Sequence, residues 1–285
     1  MDVGIGLPST IPSMRPDELV AWARRAEERG FSSLGVIDRL VYGNYEPLIA
    51  LAAAAAVTER IRLLTSILIV PLRASAAVLA KQAATVDHLS GGRLVLGVAA
   101  GGREDDFQAA GVPFAGRGRR FDEMLAEMRR IWAGEPRGTA GAIGPKPPGG
   151  PVLVVGGTAD VSFRRAAEYG AGWIAGGGSP EMFGQAAERA RAAWAERGRE
   201  GAPRLLSLGY ASLGPDARQH AEGYLRDYYG FLGPYADRIA AGALTDVGAV
   251  REAVDRFREA GCDELVLFPC NPDPGQVDLL ADAIR

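Results

Sequence analysis

Two hydrophobic periods alternate along the chain. Short runs in which most positions are apolar recur at Val3–Leu7, Ser33–Ile37, Ile61–Val70, Arg93–Ala99, Pro151–Val155, Gly172–Ala175, Leu205–Ala211 and Glu264–Phe268. Strands that are apolar almost throughout, such as PVLVV and ELVLF, predict a parallel sheet covered on both faces. Between these runs the period changes. Leu19, Trp22, Ala23 and Ala26 follow a Pro16-Asp17 start at helical spacing, and Phe121, Met124, Leu125, Met128 and Trp132 form a second such face. Further helical segments are predicted over Ala74–Leu89, Ser162–Tyr169, Pro180–Arg197, Val247–Ala260 and Gly275–Ile284. Gly30, Gly170 and Gly261 directly follow helical segments and act as stop signals.

Eight strands, each followed by a helix, predict an α/β fold of the (β/α)8 TIM-barrel type, with a doubly wound open sheet as the alternative. The expected organisation is one domain over residues 1–285, with a flexible Pro- and Gly-rich loop near Gly134–Gly150. In such a barrel the chemistry sits where strands end and loops lead into helices. That rule selects Asp38-Arg39, Thr65–Arg73, Ala99–Asp106, Gly156–Ala159, Gly176–Ser179 and Pro269–Asp273. The third strand, LLTSILIVPLR, poses a question of its own, because Thr65 and Ser66 interrupt an otherwise oily run.

Composition narrows the function classes. The chain has 285 residues, 47% hydrophobic and 24% charged, with a net charge of −3. That balance carries no basic footprint, so nucleic acid is not an expected partner. The start, MDVGIGLP, reads as a strand without a basic flank, and the apolar run Leu48–Val57 is too short to span a bilayer. A cytoplasmic protein with no membrane contact is expected. Cys262 and Cys270 are expected as free thiols, and with His88 and His220 they form no metal-ligand spacing, so no metal is predicted.

Among candidate sites, Gly156-Gly157-Thr158 lies between a strand and a helix, where free N–H groups make either a phosphate seat or simply a tight βα turn. A second glycine loop, Gly176-Gly177-Gly178, sits one unit later, and paired late loops are a recurring phosphate site of barrels. Asp38 ends the second strand, either as a ligand contact or in a salt bridge with Arg39 or Arg73. The small residues around Gly101 would let a flat ring approach the backbone. His88 falls on the opposite, stabilising face, and His220 lies in a polar segment. Tyr224, Tyr228, Tyr229 and Phe231 read as core or a subunit interface. No Ser-His-Asp set, Cys-His pair or paired carboxylates stand out, which points to a cofactor carrying the chemistry.

The motifs in order resemble the bacterial luciferase-like monooxygenase family, in particular its short branch of deazaflavin (coenzyme F420)-dependent oxidoreductases. The resemblance rests on GIGLP, GVIDRL, RIRLLTSILIVPLR, LSGGRLVLGVAAGGREDDFQAAGV with RGRRFDEMLAEMRRIW, PVLVVGGTADVSFRRAAEYGAGWI and ELVLFPCNPDPGQVDLLA. It implies a barrel holding coenzyme F420, or alternatively FMN, at the strand C-termini. The ring would lie near Asp38, Thr65, Ser66, Ile67 and Gly101, and the phosphate near Gly156, Gly157, Thr158, Gly176 and Gly177. A cis peptide is implied at Ser66–Ile67, and a homodimer is implied for the assembly. Asp38-Arg39 stands where many relatives carry Asp-His, Gly102 where a tryptophan is usual, and Asp106 where a glutamate often follows.

The resulting expectation is an oxidoreductase acting on a small organic substrate by hydride transfer or monooxygenation. Asp38 and Arg39 are the expected catalytic residues. Two other classes remain open: a non-catalytic flavin-binding protein, which would bind cofactor without turnover, and a phosphate-binding barrel isomerase, which would bind phosphate esters without flavin.

Overall fold

Each of the eight apolar runs forms a strand, and the strands pair in chain order until the last closes on the first. A computed structural model describes residues 1–11, 14–145 and 150–285. Its first half comprises β1 (Asp2–Gly6), α1 (Pro16–Glu28), β2 (Ser33–Val36), α2 (Pro47–Ala55), β3 (Arg62–Ile69), α3 (Ala76–Leu89), β4 (Leu94–Ala99), α4 (Glu104–Ala109) and α5 (Arg117–Trp132). The second half comprises β5 (Val152–Gly156), α6 (Asp160–Tyr169), β6 (Gly172–Ile174), α7 (Pro180–Glu196), β7 (Arg204–Ala211), α8 (Ala217–Tyr228), α9 (Tyr235–Ala241), α10 (Val247–Glu259), β8 (Glu264–Pro269) and α11 (Gln276–Ala283). Every strand pair is parallel, and β1 pairs with β8 from Asp2–Glu264 to Ile5–Leu267. Closure rules out the open sheet.

Two apolar layers result from strand alternation. Leu34, Leu63, Leu96, Val155, Leu205 and Leu267 face the helices, where α1 buries Leu19, Trp22, Ala23 and Ala26. Leu64, Val95, Val154, Leu206, Val266 and Phe268 fill the barrel interior. The interior needs glycines beside its largest ring: a Cβ on Gly6 would overlap the Phe268 ring, and one on Gly35 would lie 2.8 Å from Phe268 Cζ. Gly30 and Gly261 end their helices with positive φ, whereas Gly170 is extended at φ −103°.

Helices α2, α4, α8 and α9 fall outside the helical segments expected from sequence. The first is nearly all apolar, α8 begins in a polar stretch, and α4 and α9 are short. Of the expected loop at Gly134–Gly150, residues 146–149 lie outside the described residues. The remainder carries a 3₁₀ turn at Gly138–Ala140, a Pro136–Ala142 bridge and a 2.8 Å bond from Lys81 Nζ to the Gly144 carbonyl. Among the described residues, no helix is long and apolar enough to cross a membrane.

Cys262 and Cys270 are buried free thiols, as expected. Burial pushes Cys262 up to about 12 and raises Cys270 as well. In the unfolded chain both ionise from about pH 8.5. The unfolded state therefore releases its protons first, and the stability present below that pH is lost as pH rises. Denaturant titrations between about pH 8.5 and 10 are expected to show stability falling by up to about 1.4 kcal/mol per pH unit for each thiol. The double variant Cys262→Ser, Cys270→Ser should flatten that slope, and an unchanged slope would assign it elsewhere.

Candidate active site

At the C-terminal end of the barrel, two chambers join along Ser66, Ile67, Ile69, Gly101, Gly102, Gly176 and Leu208. The smaller, about 170 Å³, is walled by Ile37, Phe107, Tyr210, Tyr228, Tyr229 and Phe231. The larger, about 690 Å³, runs from Ala99 to the Gly156-Gly157-Thr158 loop and includes Arg117 and Arg165.

The third strand explains its own polar interruption. Its register against β4 shifts between Thr65 and Leu68. Strict alternation would send Ile67 outward, but the bulge inverts the phase, so Leu68 joins the outer layer while Ile67 packs on the interior one. Both Ser66 and Ile67 consequently line the cleft. The Ser66–Ile67 peptide bond is cis. Ser66 Oγ is buried without a hydrogen-bond partner. Thr65 is not brought to the cleft: it is fully buried, and its hydroxyl donates to the Gly97 carbonyl at 2.7 Å. Gly156 accommodates Ile67, since a Cβ there would overlap Ile67 Cδ1.

Asp38 and Arg39 are neighbours in sequence but belong to different ion pairs. Asp38 accepts from Ile69 N at 2.8 Å and from the Arg73 guanidinium, which also reaches Glu46 at 3.3 Å. It thereby ties the end of β2 to the segment that follows the bulge. Arg39 turns the other way, donating to Asp106 at 2.8 Å, Asp105 at 3.0 Å and the Val41 carbonyl at 3.0 Å. Asp106 also accepts from Leu40 N and Val41 N, at 3.0 and 2.7 Å, so both of its oxygens are occupied. The Arg39 and Asp106 side chains are each 3% exposed.

The far end of the larger chamber suits an anion. The N-terminus of α6, which follows the Gly157-Thr158 turn, has no side-chain cap, although Ser162 N is already bonded to the Ala159 carbonyl at 2.8 Å. Gly157 has φ +119°, and a Cβ there would sit 2.5 Å from Ser162 Oγ, so the turn demands glycine. Arg165 is buried, pairing with Asp122 at 2.5 Å and donating to the Gly118 carbonyl at 2.9 Å. Arg117 stacks on Phe114 at 3.8 Å, donates through Nε to the Gly101 carbonyl at 2.9 Å, and has no carboxylate within 4.0 Å among the described residues.

Of the residues singled out from sequence, the cleft gathers Asp38, Arg39, Ser66, Ile67, Gly101, Gly156, Gly157, Thr158 and Gly176; Gly177 stands outside its lining. Tyr224 and Tyr228 are buried in the core, one of the two places expected for them, and Tyr228, Tyr229 and Phe231 also line the smaller chamber. His88 and His220 are exposed and line neither chamber. Sequence reasoning placed Arg103 only within the Ala99–Asp106 segment and missed Arg117, Arg165 and Tyr210. One signal was available for Arg117: the first turn of α5 carries arginines and no acidic residue, the reverse of what the helix dipole favours unless an anion is near. Among the described residues, no group of three or more His, Cys, Asp or Glu is placed to hold a metal ion.

Comparisons with known proteins agree with this fold. The luciferase-like monooxygenase family matches residues 1–267. An uncharacterized protein of Mycobacterium tuberculosis is 33% identical over 207 residues, covering 62% of this chain and 71% of that protein. The F420-dependent glucose-6-phosphate dehydrogenase of Beutenbergia cavernae is 37% identical over 140 residues, covering 46% of this chain and 41% of the enzyme. Among solved structures, an F420-dependent secondary alcohol dehydrogenase in complex with an F420–acetone adduct superposes with a TM-score of 0.85 at 21% identity, over 100% of this chain and 99% of that one. A type II Baeyer–Villiger monooxygenase of Pseudomonas putida in complex with FMN gives 0.77 at 19% identity, over 99% and 96%.

Proposed function

Because the chain belongs to the luciferase-like monooxygenase family, we propose that it is an oxidoreductase whose cleft binds reduced coenzyme F420 and acts on a small organic substrate by hydride transfer. The observation that carries this reading is the junction of an apolar, ring-sized passage with an arginine-lined anion seat in one continuous cleft. FMN is the second reading, since it shares a flat ring and a phosphate, and the FMN-bound relative shares the fold.

The residues fit such a group. Ile67, Ile69 and Leu208 supply apolar walls, and Ser66 Oγ is a buried hydroxyl still lacking a partner. Arg117, the uncapped N-terminus of α6 and Arg165 supply cations and N–H donors for a phosphate. When bound, F420 would supply or accept a hydride. The chain's own part is to bind, orient and exclude water. Asp38 fixes the post-bulge segment through Ile69 N and Arg73, and Arg39 fixes the loop after β2 through Asp105 and Asp106. Both act as positioning residues in this reading, replacing the catalytic roles expected from sequence. The substrate enters the aromatic chamber. A homodimer in the cytoplasm remains the proposed setting.

Fluorescence titration with F420 and FMN, oxidised and reduced, tests the reading. Saturable binding with preference for reduced F420 is expected. Binding of FMN alone would favour the second reading, and binding of neither would overturn both.

A further inference from the structure

The aromatic chamber holds an unspent proton. Tyr210, on β7, and Tyr229, just after α8, bring their hydroxyls together at 2.7 Å. Two hydroxyls carry two protons, and one hydrogen bond between them uses one. The other proton faces whatever enters the chamber that both rings line.

Of the other polar groups of this chamber, the carboxylates are committed, while Ser66 Oγ and Arg39 Nη1 have no partner of their own. Asp38 and Asp106 accept N–H donors on both oxygens, from Ile69 and Arg73 and from Leu40, Val41 and Arg39. Arg39 is held by Asp105 and Asp106. Arg103 lies flat on Phe231 at 3.5 Å and donates to the Tyr228 carbonyl at 3.2 Å. Guanidinium groups do not release protons at accessible pH. The apolar walls include Ile37, Ile69, Leu72, Phe107 and Leu208, and Ser66 stands at the junction with the larger chamber, away from any partner.

We propose that Tyr229 is the catalytic residue that binds the reacting oxygen of an uncharged carbonyl substrate and gives it its proton, with Tyr210 as the positioning residue behind it. The inference deepens the oxidoreductase reading and rests on it for the two electrons and hydrogen delivered to the carbonyl carbon. As that C–H bond forms, the C=O π pair moves to oxygen, the Tyr229 O–H bond breaks, and the new alcohol O–H bond forms. The Tyr229 phenolate is then held by the Tyr210 hydroxyl until a proton returns from solvent.

The surroundings favour Tyr229 over its neighbours. Burial raises all four tyrosines of the cluster, but the Tyr210 hydroxyl and Arg103 pull Tyr229 back down, whereas Tyr210 and Tyr224 stand well above the ordinary phenol value. Tyr224 is engaged with Thr10 Oγ1 at 2.5 Å. Tyr228 presents its ring to Arg39 and Arg103, at 5.9 and 5.8 Å. The groups facing Tyr229 are thus Tyr210 from β7, Tyr224 and Tyr228 from α8, Arg103 from the loop before α4 and Cys270 after β8.

Isotope-edited infrared spectroscopy of cyclohexanone labelled at the carbonyl reads the bond without turnover. In the wild-type protein the bound C=O band is expected at lower frequency than in hydrocarbon solvent. In Tyr229→Phe it should return toward the solvent value, with the ketone bound about tenfold more weakly. Tyr210→Phe should give a partial return. F420 titration of the same variants should match wild type, since neither tyrosine lines the anion seat. A wild-type band without a shift, a shift that survives in Tyr229→Phe, or tighter binding of cyclohexanecarboxylate than of cyclohexanone would overturn the proposal. The expected ketone result together with no binding of F420 or FMN would overturn the cofactor reading and, with it, the proton-transfer role, leaving the carbonyl-binding role of Tyr229 supported.

Discussion

Replacing Asp106 by alanine is expected to destabilise the fold by about 3–5 kcal/mol, because it strands a buried cation. The Arg39 and Asp106 side chains are each 3% exposed, and the carboxylate also holds Leu40 N and Val41 N. Removing it leaves Arg39 only the rim carboxylate Asp105 and the Val41 carbonyl. Arg39 Nη1 is already buried without a partner, so the site has no spare acceptor to offer. Urea unfolding of Asp106→Ala against wild type measures the loss. Removing both charges with Arg39→Met, Asp106→Leu should recover much of the stability, since an apolar pair of similar volume needs no desolvation. A single variant within about 1 kcal/mol of wild type would show that the pair carries little, as exposed pairs do.

Replacing Arg117 by alanine is expected to weaken F420 binding about 10- to 100-fold, the range for losing a charge-assisted hydrogen bond to phosphate. Stacking on Phe114 and the bond from Nε to Gly101 already orient the guanidinium, so little freedom is left to lose when a ligand arrives. The phosphate-free deazaflavin chromophore supplies the control, and its affinity should change little. The F420 loss should also shrink at high salt, because Arg117 is only half-buried and is screened. Equal losses for both ligands would mean that Arg117 supports the ring wall through Gly101 and not the phosphate.

The barrel was legible because its signals are local. A strand covered on both faces is apolar at nearly every position, and a helix packed on such a sheet repeats at 3.6 residues, so β1 through β8 can be counted along the chain. α2 escaped because a nearly all-apolar helix has no face to detect. α8 escaped because the stretch begins as polar, although its buried positions, Ala221, Tyr224, Leu225 and Tyr228, stand at helical spacing. The glycine loops after β5 and β6 were legible for the same reason as the strands: a turn that requires positive φ, as at Gly157, restricts the residue type on the spot.

The partners within the cleft were legible only in part: Arg73 was one of two partners expected for Asp38, whereas Asp106 was not expected for Arg39. Asp38 and Arg39 sit side by side in sequence, yet one pairs with Arg73, 35 residues on, and the other with Asp106, 67 residues on. Nothing local distinguishes those choices. Likewise the polar pair Thr65-Ser66 could be assigned to the rim, but only the structure shows Thr65 bonded to the Gly97 carbonyl and the register shift after it that brings Ile67 beside Ser66 in the cleft.

The sequence by itself determined the eight strands, their order and the strand ends on which chemistry is found, because burial pattern and turn chemistry are read within a few residues. Closure, against the open-sheet alternative, came from the pairing of β1 with β8. Tertiary structure alone decided which charges cancel, which hydroxyls meet and which arginines face the anion end. Those outcomes depend on which strand ends and loops converge above the barrel, and convergence is a property of the closed sheet rather than of any one segment.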